Sequence, residues 1–182
     1  MNLDLNEQNN KNIVLVGMMG AGKTYIATKL SKLLVHFSYV DIDSEIEKEA
    51  QLTIPEIFEK YSESYFRELE VKTINKFASG KNQIISIGGG AFENPKNQYA
   101  LKEHGLVFYL KATAKELFNR IEKQNGQLQR PLLGDDFSVK TIQDILKKRD
   151  KNYKKAHFTI ETDQKQAYNI LDEILKECNT YA

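Results

Sequence analysis

Short apolar runs alternate along the chain with longer segments in which apolar residues recur at helical spacing. The clearest apolar runs predict strands buried on both faces, at Ile13–Val16, Gln83–Ile87 and Leu106–Leu110. Two weaker strand candidates, bounded by polar residues, are Ser38–Ile42 and Phe158–Glu161. The amphipathic segments predict helices at 22–35, 54–61, 64–79, 113–124, 138–156 and 164–178. This alternation is typical of an α/β fold in which helices cover both faces of a parallel sheet.

Composition and charge narrow the choice of partners. The 182 residues include 26 Lys and Arg against 25 Asp and Glu, for a net charge of +1, which gives no bulk attraction for nucleic acid or anionic lipid. No apolar run approaches the ~20 residues that span a bilayer, and the N-terminus lacks the pattern of a signal peptide. We therefore expect one cytoplasmic domain over 1–182, monomeric by default, with a flexible tail at 1–11 and neither nucleic-acid nor membrane partners.

A glycine-rich segment, Gly17-Met-Met-Gly-Ala-Gly-Lys-Thr24, joins the first strand to the first helix. This is the phosphate-loop pattern in its required context, because glycines let successive N–H groups face phosphate oxygens at a helix N-terminus. Lys23 is expected to reach the β- and γ-phosphates of ATP, and Thr24 to ligate Mg²⁺. The residues expected to bind ATP here are Gly17, Met19, Gly20, Ala21, Gly22, Lys23 and Thr24.

Two carboxylates follow the second strand, at the sheet edge where parallel α/β folds bind ligands. On an extended segment, Asp41 and Asp43 would face the same cavity. Asp41 would then serve the Mg²⁺ shell, and Asp43 would hold a substrate hydroxyl and accept its proton. The alternative is a polar strand end with a helix N-cap at Asp43 or Ser44, but the nearby phosphate loop favours a functional role.

A charged pair and a run of glycines are each open to two interpretations. Arg67 and Glu70 have i, i+3 spacing on a predicted helix, which fits a surface ion pair. The same spacing fits an arginine that clamps a substrate carboxylate while Glu70 orients it. Gly88–Gly90 follow the third strand and suit either a backbone that passes close to a ligand or a sharp turn.

Two further arginines lie in the C-terminal part of the chain. Arg130 follows the polar segment Lys123–Gln129, which suits a mobile lid whose arginine stabilises charge on a transferring phosphoryl group. Arg149 lies on a lysine-rich predicted helix, where a solvated surface position is the simpler interpretation when the residue is considered alone.

Taken in order, these segments resemble the shikimate kinase family from Ile13 to about Thr162. Besides the phosphate loop, the matching segments are Asp41-x-Asp43, Ile57-Phe58, Phe66-Arg67-x-x-Glu70, Gly88-Gly-Gly90, Arg130-Pro-Leu-Leu133 and Arg149-x-x-x-Tyr153. The resemblance implies a P-loop NTPase fold of the nucleoside-monophosphate-kinase type, with a five-stranded parallel sheet flanked by helices. It also implies a substrate-binding region at about 44–79 and a mobile lid at about 123–137.

The resemblance further implies roles for individual residues. Arg67 and Arg149 would bind the carboxylate of shikimate, and Asp43 its hydroxyls. The other residues implied at the substrate are Phe58, Phe66, Glu70, Gly88, Gly89 and Gly90. The catalytic residues would be Lys23, Asp43 and Arg130, with Lys23 and Arg130 at the phosphates and with Thr24 and Asp41 at Mg²⁺.

Two positions depart from the family pattern. Lys123 stands where an arginine common in the family contacts ATP at the adenine, and a lysine lacks its planar stacking surface. Ser62-Glu63 replaces the usual Gly-Glu, which puts the geometry of that turn in question.

We therefore predict transfer of the γ-phosphoryl group of ATP to the 3-hydroxyl of shikimate, within aromatic amino-acid synthesis. A related small-molecule kinase, such as a gluconate kinase, is the close alternative, and Asp43, Arg67 and Arg149 argue against it. A regulatory P-loop NTPase would be expected to have an acid at the end of the third strand, where this chain has Gly88–Gly90. A nucleotide-binding module without catalysis is disfavoured because five residues suited to catalysis are intact: Lys23, Thr24, Asp41, Asp43 and Arg130.

Overall fold

The computed structural model describes residues 11–124 and 138–181. Its strands within these ranges are β1 (Asn12–Val16), β2 (Ser38–Asp41), β3 (Gln83–Ser86), β4 (Gly105–Lys111) and β5 (Phe158–Glu161). Its helices are α1 (Lys23–Leu33), α2 (Ile42–Ala50), α3 (Ile54–Lys60), α4 (Glu63–Ala78), α5 (Pro95–His104), α6 (Ala114–Gln124), α7 (Val139–Tyr153) and α8 (Ala167–Thr180), with a 3₁₀ turn at Ala91–Glu93. The expected tail at 1–11 and lid at about 123–137 lie almost wholly outside the described residues.

The five strands form one parallel sheet, as the sequence predicts, and the structure shows their order to be β2-β3-β1-β4-β5. Ile13 and Leu15 of β1 belong to the apolar cluster that packs against α1, α6 and α8. Val14 and Val16 belong to the cluster that packs against α2, α4 and α5. The alternation along β1 thus confirms that both faces of the sheet are covered by helices. None of the helices in the described ranges is long and apolar enough to cross a membrane.

The predicted extension of the second strand to Ile42 is wrong. Strand β2 ends at Asp41, and α2 begins at the next residue because the Asp41 side chain is the N-cap, accepting a hydrogen bond from the Ser44 N–H at 3.2 Å. The predicted extended conformation from Asp41 to Asp43 is therefore wrong as well. The N-cap is Asp41 itself, and neither Asp43 nor Ser44.

Side-chain caps also begin four other described helices, α3, α4, α5 and α7, and two of them bear on the sequence predictions. Asn94 accepts a hydrogen bond from the Lys96 N–H at 3.0 Å, and Pro95 occupies the first turn of α5, a helix that the hydrophobic pattern does not predict. Ser62 has extended backbone angles and accepts from the Tyr65 N–H at 3.2 Å. Serine thus serves as a regular N-cap for α4 at the position where the family usually has glycine.

The strand order brings three chain segments to one edge of the sheet. Asp41 of β2 pairs in register with Ser86 of β3, which pairs with Leu15 of β1. Because the three strands are parallel neighbours, the phosphate loop, the start of α2 and Gly88–Gly90 all follow at this edge.

Candidate active site

The phosphate loop owes its shape to glycines in left-handed conformations. Gly17, Gly20 and Gly22 have φ angles of 142°, 78° and 92°, a region that other residues rarely adopt. A Cβ at Gly17 would also lie 2.6 Å from the Leu110 carbonyl oxygen. Gly22 is the N-cap of α1 and provides no side-chain acceptor to the first helical N–H groups. Such a helix start is suited to an anion.

Lys23 lies across the loop from which it extends. Its Nζ donates hydrogen bonds to the carbonyl oxygens of Gly17 and Met18 at 2.9 and 3.1 Å. Its positive charge also opposes the rise in the Asp43 pKa that burial causes. The ammonium group is therefore near enough to the carboxylate predicted to be the base to interact with it.

Asp43 lies on the first turn of α2, half-buried beside other charged groups. Burial and the charge of Asp41 raise its pKa to about 6, although Lys23 and Arg67 oppose this shift. Asp41 and Asp43 are therefore close enough to interact, even though the segment that carries Asp43 is helical.

The side chains predicted to bind shikimate, the phosphoryl acceptor, converge on the triple glycine. A Cβ at the first glycine of Gly88–Gly90 would lie 2.9 Å from Oδ1 of Asp43. A Cβ at the second would lie 3.4 Å from Nη1 of Arg149, and one at the third 3.1 Å from Nη2 of Arg67. None of the three has a positive φ, so the absent side chains leave space for these charged groups. The segment also turns, with the Ala91 N–H donating to the Gly88 carbonyl at 3.1 Å, which confirms the turn interpretation. Close approach of this backbone to a ligand stays a prediction.

Arg67 is held by carboxylates on its own helix. Its Nη1 donates to both carboxylate oxygens of Glu70, at 3.0 and 3.1 Å, and Nη2 donates to Glu63 at 3.1 Å. The surface ion-pair interpretation is wrong, because the side chain of Glu70 is only 1% exposed. Burial raises the pKa of Glu70, while Arg67 opposes that shift.

Arg149 is also not a surface residue. Its side chain is 12% exposed, against 69% for Lys147 on the same helix. Its Nε lies 3.9 Å from a carboxylate oxygen of Glu93. One turn later, the fully buried Tyr153 donates a hydrogen bond to the carbonyl oxygen of Gly89. The charge of the nearby Arg149 opposes the rise in the Tyr153 pKa that burial causes. Tyr153 thus links the helix of Arg149 to the triple glycine.

The two predicted phenylalanines are in contact with each other. The ring centroids of Phe58 and Phe66 are 5.1 Å apart, and the Arg67 guanidinium lies 5.1 Å from the Phe66 ring centre. Phe66 is buried, whereas Phe58 is half-buried at the edge of the same cluster. The pair provides an apolar wall next to the arginine.

The predicted metal residues meet at a tyrosine that the sequence reading missed. The Tyr39 hydroxyl donates to Oδ2 of Asp41 at 2.9 Å. The hydroxyls of Thr24 and Ser86 lie near enough to oppose the rise in the Tyr39 pKa that burial causes. Hydroxyl and carboxylate oxygens of this kind are the donors that Mg²⁺ prefers. Among the described residues, no three acidic, histidine or cysteine side chains form a metal cluster. Mg²⁺ in kinases usually needs fewer, because phosphates and water complete its shell.

A second missed residue, Arg120, lies under the phosphate loop. It donates to the carbonyl oxygen of Thr162 at 2.7 Å and to that of Ala21 at 3.5 Å. Its Nε donates to Glu116 at 2.8 Å, an i, i+4 pair that could have been noticed in the sequence. Lys123, one turn further on, is exposed, and Arg130 lies outside the described residues.

A protein-family model described as shikimate kinase matches residues 19–179. The chain belongs to the shikimate kinase family. Similar members are the shikimate kinases of Persephonella marina, 41% identical over 91% of this chain and 97% of the relative, and of Caldanaerobacter subterraneus, 37% identical over 91% and 95%. The solved structure of shikimate kinase from Acinetobacter baumannii in complex with shikimate has a TM-score of 0.86, at 37% identity over 96% of both chains.

A gluconokinase from Sinorhizobium meliloti shares the fold more distantly. Its TM-score is 0.56 at 13% identity, over 97% of this chain and 95% of the gluconokinase. At this identity the likeness concerns the fold alone, and it gives the gluconate alternative no support of its own.

Proposed function

We propose that this protein transfers the γ-phosphoryl group of ATP to the 3-hydroxyl of shikimate, giving shikimate 3-phosphate and ADP. The observation that supports this most strongly is the convergence of Asp43, Arg67 and Arg149 on Gly88–Gly90, beside the phosphate loop. Membership of the shikimate kinase family supports the same reaction, as does a similar structure solved with shikimate. The reaction belongs to aromatic amino-acid synthesis.

On the donor side, the loop residues from Gly17 to Thr24 bind the phosphates of ATP through their N–H groups. Lys23 exchanges its loop carbonyl acceptors for β- and γ-phosphate oxygens and neutralises charge there. Arg130 does the same from the lid in this proposal. Arg120, whose guanidinium lies between the loop and Thr162, is a better candidate than the exposed Lys123 for the contact with adenine.

On the acceptor side, Arg67 and Arg149 bind the shikimate carboxylate. Two guanidinium forks suit a planar carboxylate, and Glu70 fixes the orientation of the first. Phe58 and Phe66 line the carbon ring of the substrate.

Asp43 accepts hydrogen bonds from the ring hydroxyls and takes the proton of the attacking oxygen. A pKa of about 6 leaves its carboxylate mostly ionised at neutral pH while keeping it a stronger base than an ordinary aspartate. The positive charges of Lys23 and Arg67 both act on Asp43. They favour its ionised form, which is the form that accepts the proton.

Thr24 and Asp41 would hold Mg²⁺, through a hydroxyl and a carboxylate, the latter bound by the Tyr39 hydroxyl. The ion would supply charge neutralisation on the phosphates. The substrate-binding region at about 44–79, the lid, the monomeric state, the cytoplasmic location and the absence of nucleic-acid or membrane partners stay predictions from the sequence.

The reaction is tested by identifying the product. Protein, ATP, Mg²⁺ and shikimate are incubated, and the product is examined by phosphorus–proton NMR. We expect one phosphate ester, coupled to the proton at carbon 3 of the ring. ADP formation without a shikimate ester would instead support the NTPase alternative.

A further inference from the structure

The carboxylate of Asp41 has a chain partner on each oxygen. Oδ1 accepts from the Ser44 N–H at 3.2 Å as the N-cap of α2. Oδ2 accepts from the Tyr39 hydroxyl at 2.9 Å. One contact is made by the helix start and the other by the strand, so together they fix the rotation of the carboxylate about its side chain.

The Tyr39 hydroxyl lies near groups from three elements. Its hydrogen bond goes to Asp41 on its own strand. Its electrostatic neighbours include the hydroxyls of Thr24, at the start of α1, and Ser86, at the end of β3. The tyrosine ring is anchored because it packs against the apolar cluster between the sheet and α1. A single hydroxyl therefore holds one side chain assigned to the metal and lies near the other.

The role of Tyr39 suits a hydrogen-bond donor beside the metal. Its hydroxyl donates to Oδ2 of Asp41 at 2.9 Å. A donor with this bond orients a metal ligand and does not itself replace one.

We propose that Tyr39 is a positioning residue for the metal, holding the Asp41 carboxylate in the orientation that Mg²⁺-nucleotide requires. This inference rests on the proposed kinase function, because it takes Asp41 and Thr24 as the metal residues. Partners of this kind commonly change metal affinity by ~10–100-fold when they are removed.

The test compares Tyr39→Phe with a matched control, Tyr109→Phe. Tyr109 on β4 also donates its hydroxyl to an aspartate, Asp150 of α7, at 3.3 Å. Both substitutions keep the ring and remove one tyrosine–aspartate hydrogen bond, but only the first is at the proposed metal site. A merely structural role for Tyr39 predicts similar behaviour of the two variants.

Binding of Mn²⁺, as a paramagnetic substitute for Mg²⁺, is titrated by electron paramagnetic resonance in the presence of ADP. We expect Tyr39→Phe to weaken metal binding by ~10-fold or more, with wild-type affinity in Tyr109→Phe. ADP binding without metal, measured by calorimetry, should be the same in all three proteins. Unfolding midpoints in urea establish that each variant is folded.

Wild-type metal affinity in folded Tyr39→Phe would overturn the proposal, as would equal weakening in both variants. The proposed function is judged separately, by product formation from shikimate with the wild-type protein. If wild-type protein made no shikimate ester while the Mn²⁺ affinity still fell in Tyr39→Phe alone, the reaction would be refuted and the role of Tyr39 retained.

Discussion

The donor and acceptor sides of this site are built in different ways. The phosphate loop is one contiguous segment whose shape depends on the backbone of Gly17, Gly20 and Gly22. The acceptor side is assembled from charged side chains on α2, α4 and α7, which meet at glycines with ordinary φ angles. Glycine thus provides conformation on one side of the site and space on the other.

The two sides also differ in how their charged groups affect the stability of the fold. The helix start and Lys23 prepare the donor side for phosphate, whereas the acceptor side gathers carboxylates in partly buried positions. The shift of the Asp43 pKa from 3.8 to about 6 means that its ionised form destabilises the fold by ~3 kcal/mol. We therefore expect substitutions on the donor side to lower kcat. Substitutions on the acceptor side should, in addition, change the affinity for shikimate and the free energy of unfolding.

The largest effect is expected for Lys23→Ala on the donor side. Removing the cation that neutralises the transferring phosphoryl group should lower kcat by about 10³-fold or more. Shikimate binding, measured by calorimetry, should stay close to wild type because the acceptor side chains remain. Lost shikimate affinity with a preserved kcat would reverse the assignment of the two sides.

Asp43→Asn should separate activity from stability. Loss of the base should lower kcat by about 10²-fold or more. A folded-state pKa above the unfolded value means that Asp43 stabilises the fold below pH 3.8 and that this contribution is lost as the pH rises through about 6. The neutral asparagine avoids this loss, so the free energy of unfolding should rise by up to ~3 kcal/mol at pH 8 and by less at pH 5.

Urea unfolding at the two pH values measures this difference. Asp144→Asn, at an exposed position on α7, is the control and should change neither stability nor turnover appreciably. If Asp43→Asn were less stable than wild type at pH 8, the ionised Asp43 side chain would not destabilise the fold, and this interpretation would be contradicted.

Arg67→Lys should affect the acceptor side selectively. Lysine keeps a charge for Glu70 but loses the bidentate fork, so the KM for shikimate should rise by about 10–100-fold. The KM for ATP should stay within about twofold. Steady-state kinetics with each substrate varied in turn measures both, and an unchanged shikimate KM would remove Arg67 from the site.

The smallest effects are expected from two alanine substitutions in the triple glycine. In Gly88→Ala the new Cβ would lie 2.9 Å from Oδ1 of Asp43, whereas in Gly89→Ala the nearest atom, on Arg149, is 3.4 Å away. We expect a several-fold rise in the shikimate KM for the first and a smaller one for the second. The reverse order would show that space for Asp43 is not what Gly88 provides.

The sequence predicts the donor side well because its signal is local. The five strands and the phosphate loop follow from contiguous apolar runs and from glycines at fixed spacing. The hydrophobic pattern does not predict α2, because Asp41 ends a strand and caps a helix at once, nor α5, whose start is marked by Asn94 and Pro95 and not by apolar spacing.

The acceptor side could not be derived from spacing alone. On a helix, Arg67 and Arg149 look like surface residues until the packing of α4 and α7 brings them to Gly88–Gly90. Tyr39 and Arg120 were missed for the same reason, since their main partners outside the local segment become neighbours only in the folded chain. The family resemblance, and not residue periodicity, supplied the roles on this side.

The most direct test of the central claim is the ratio of kcat/KM for shikimate to that for gluconate, measured with one protein preparation, ATP and Mg²⁺. A site that pairs two arginines and Asp43 with a particular hydroxylated carboxylate should prefer shikimate by ~10⁴-fold. An equal or larger kcat/KM for gluconate would contradict the account, because the acceptor side chains would then not select the substrate.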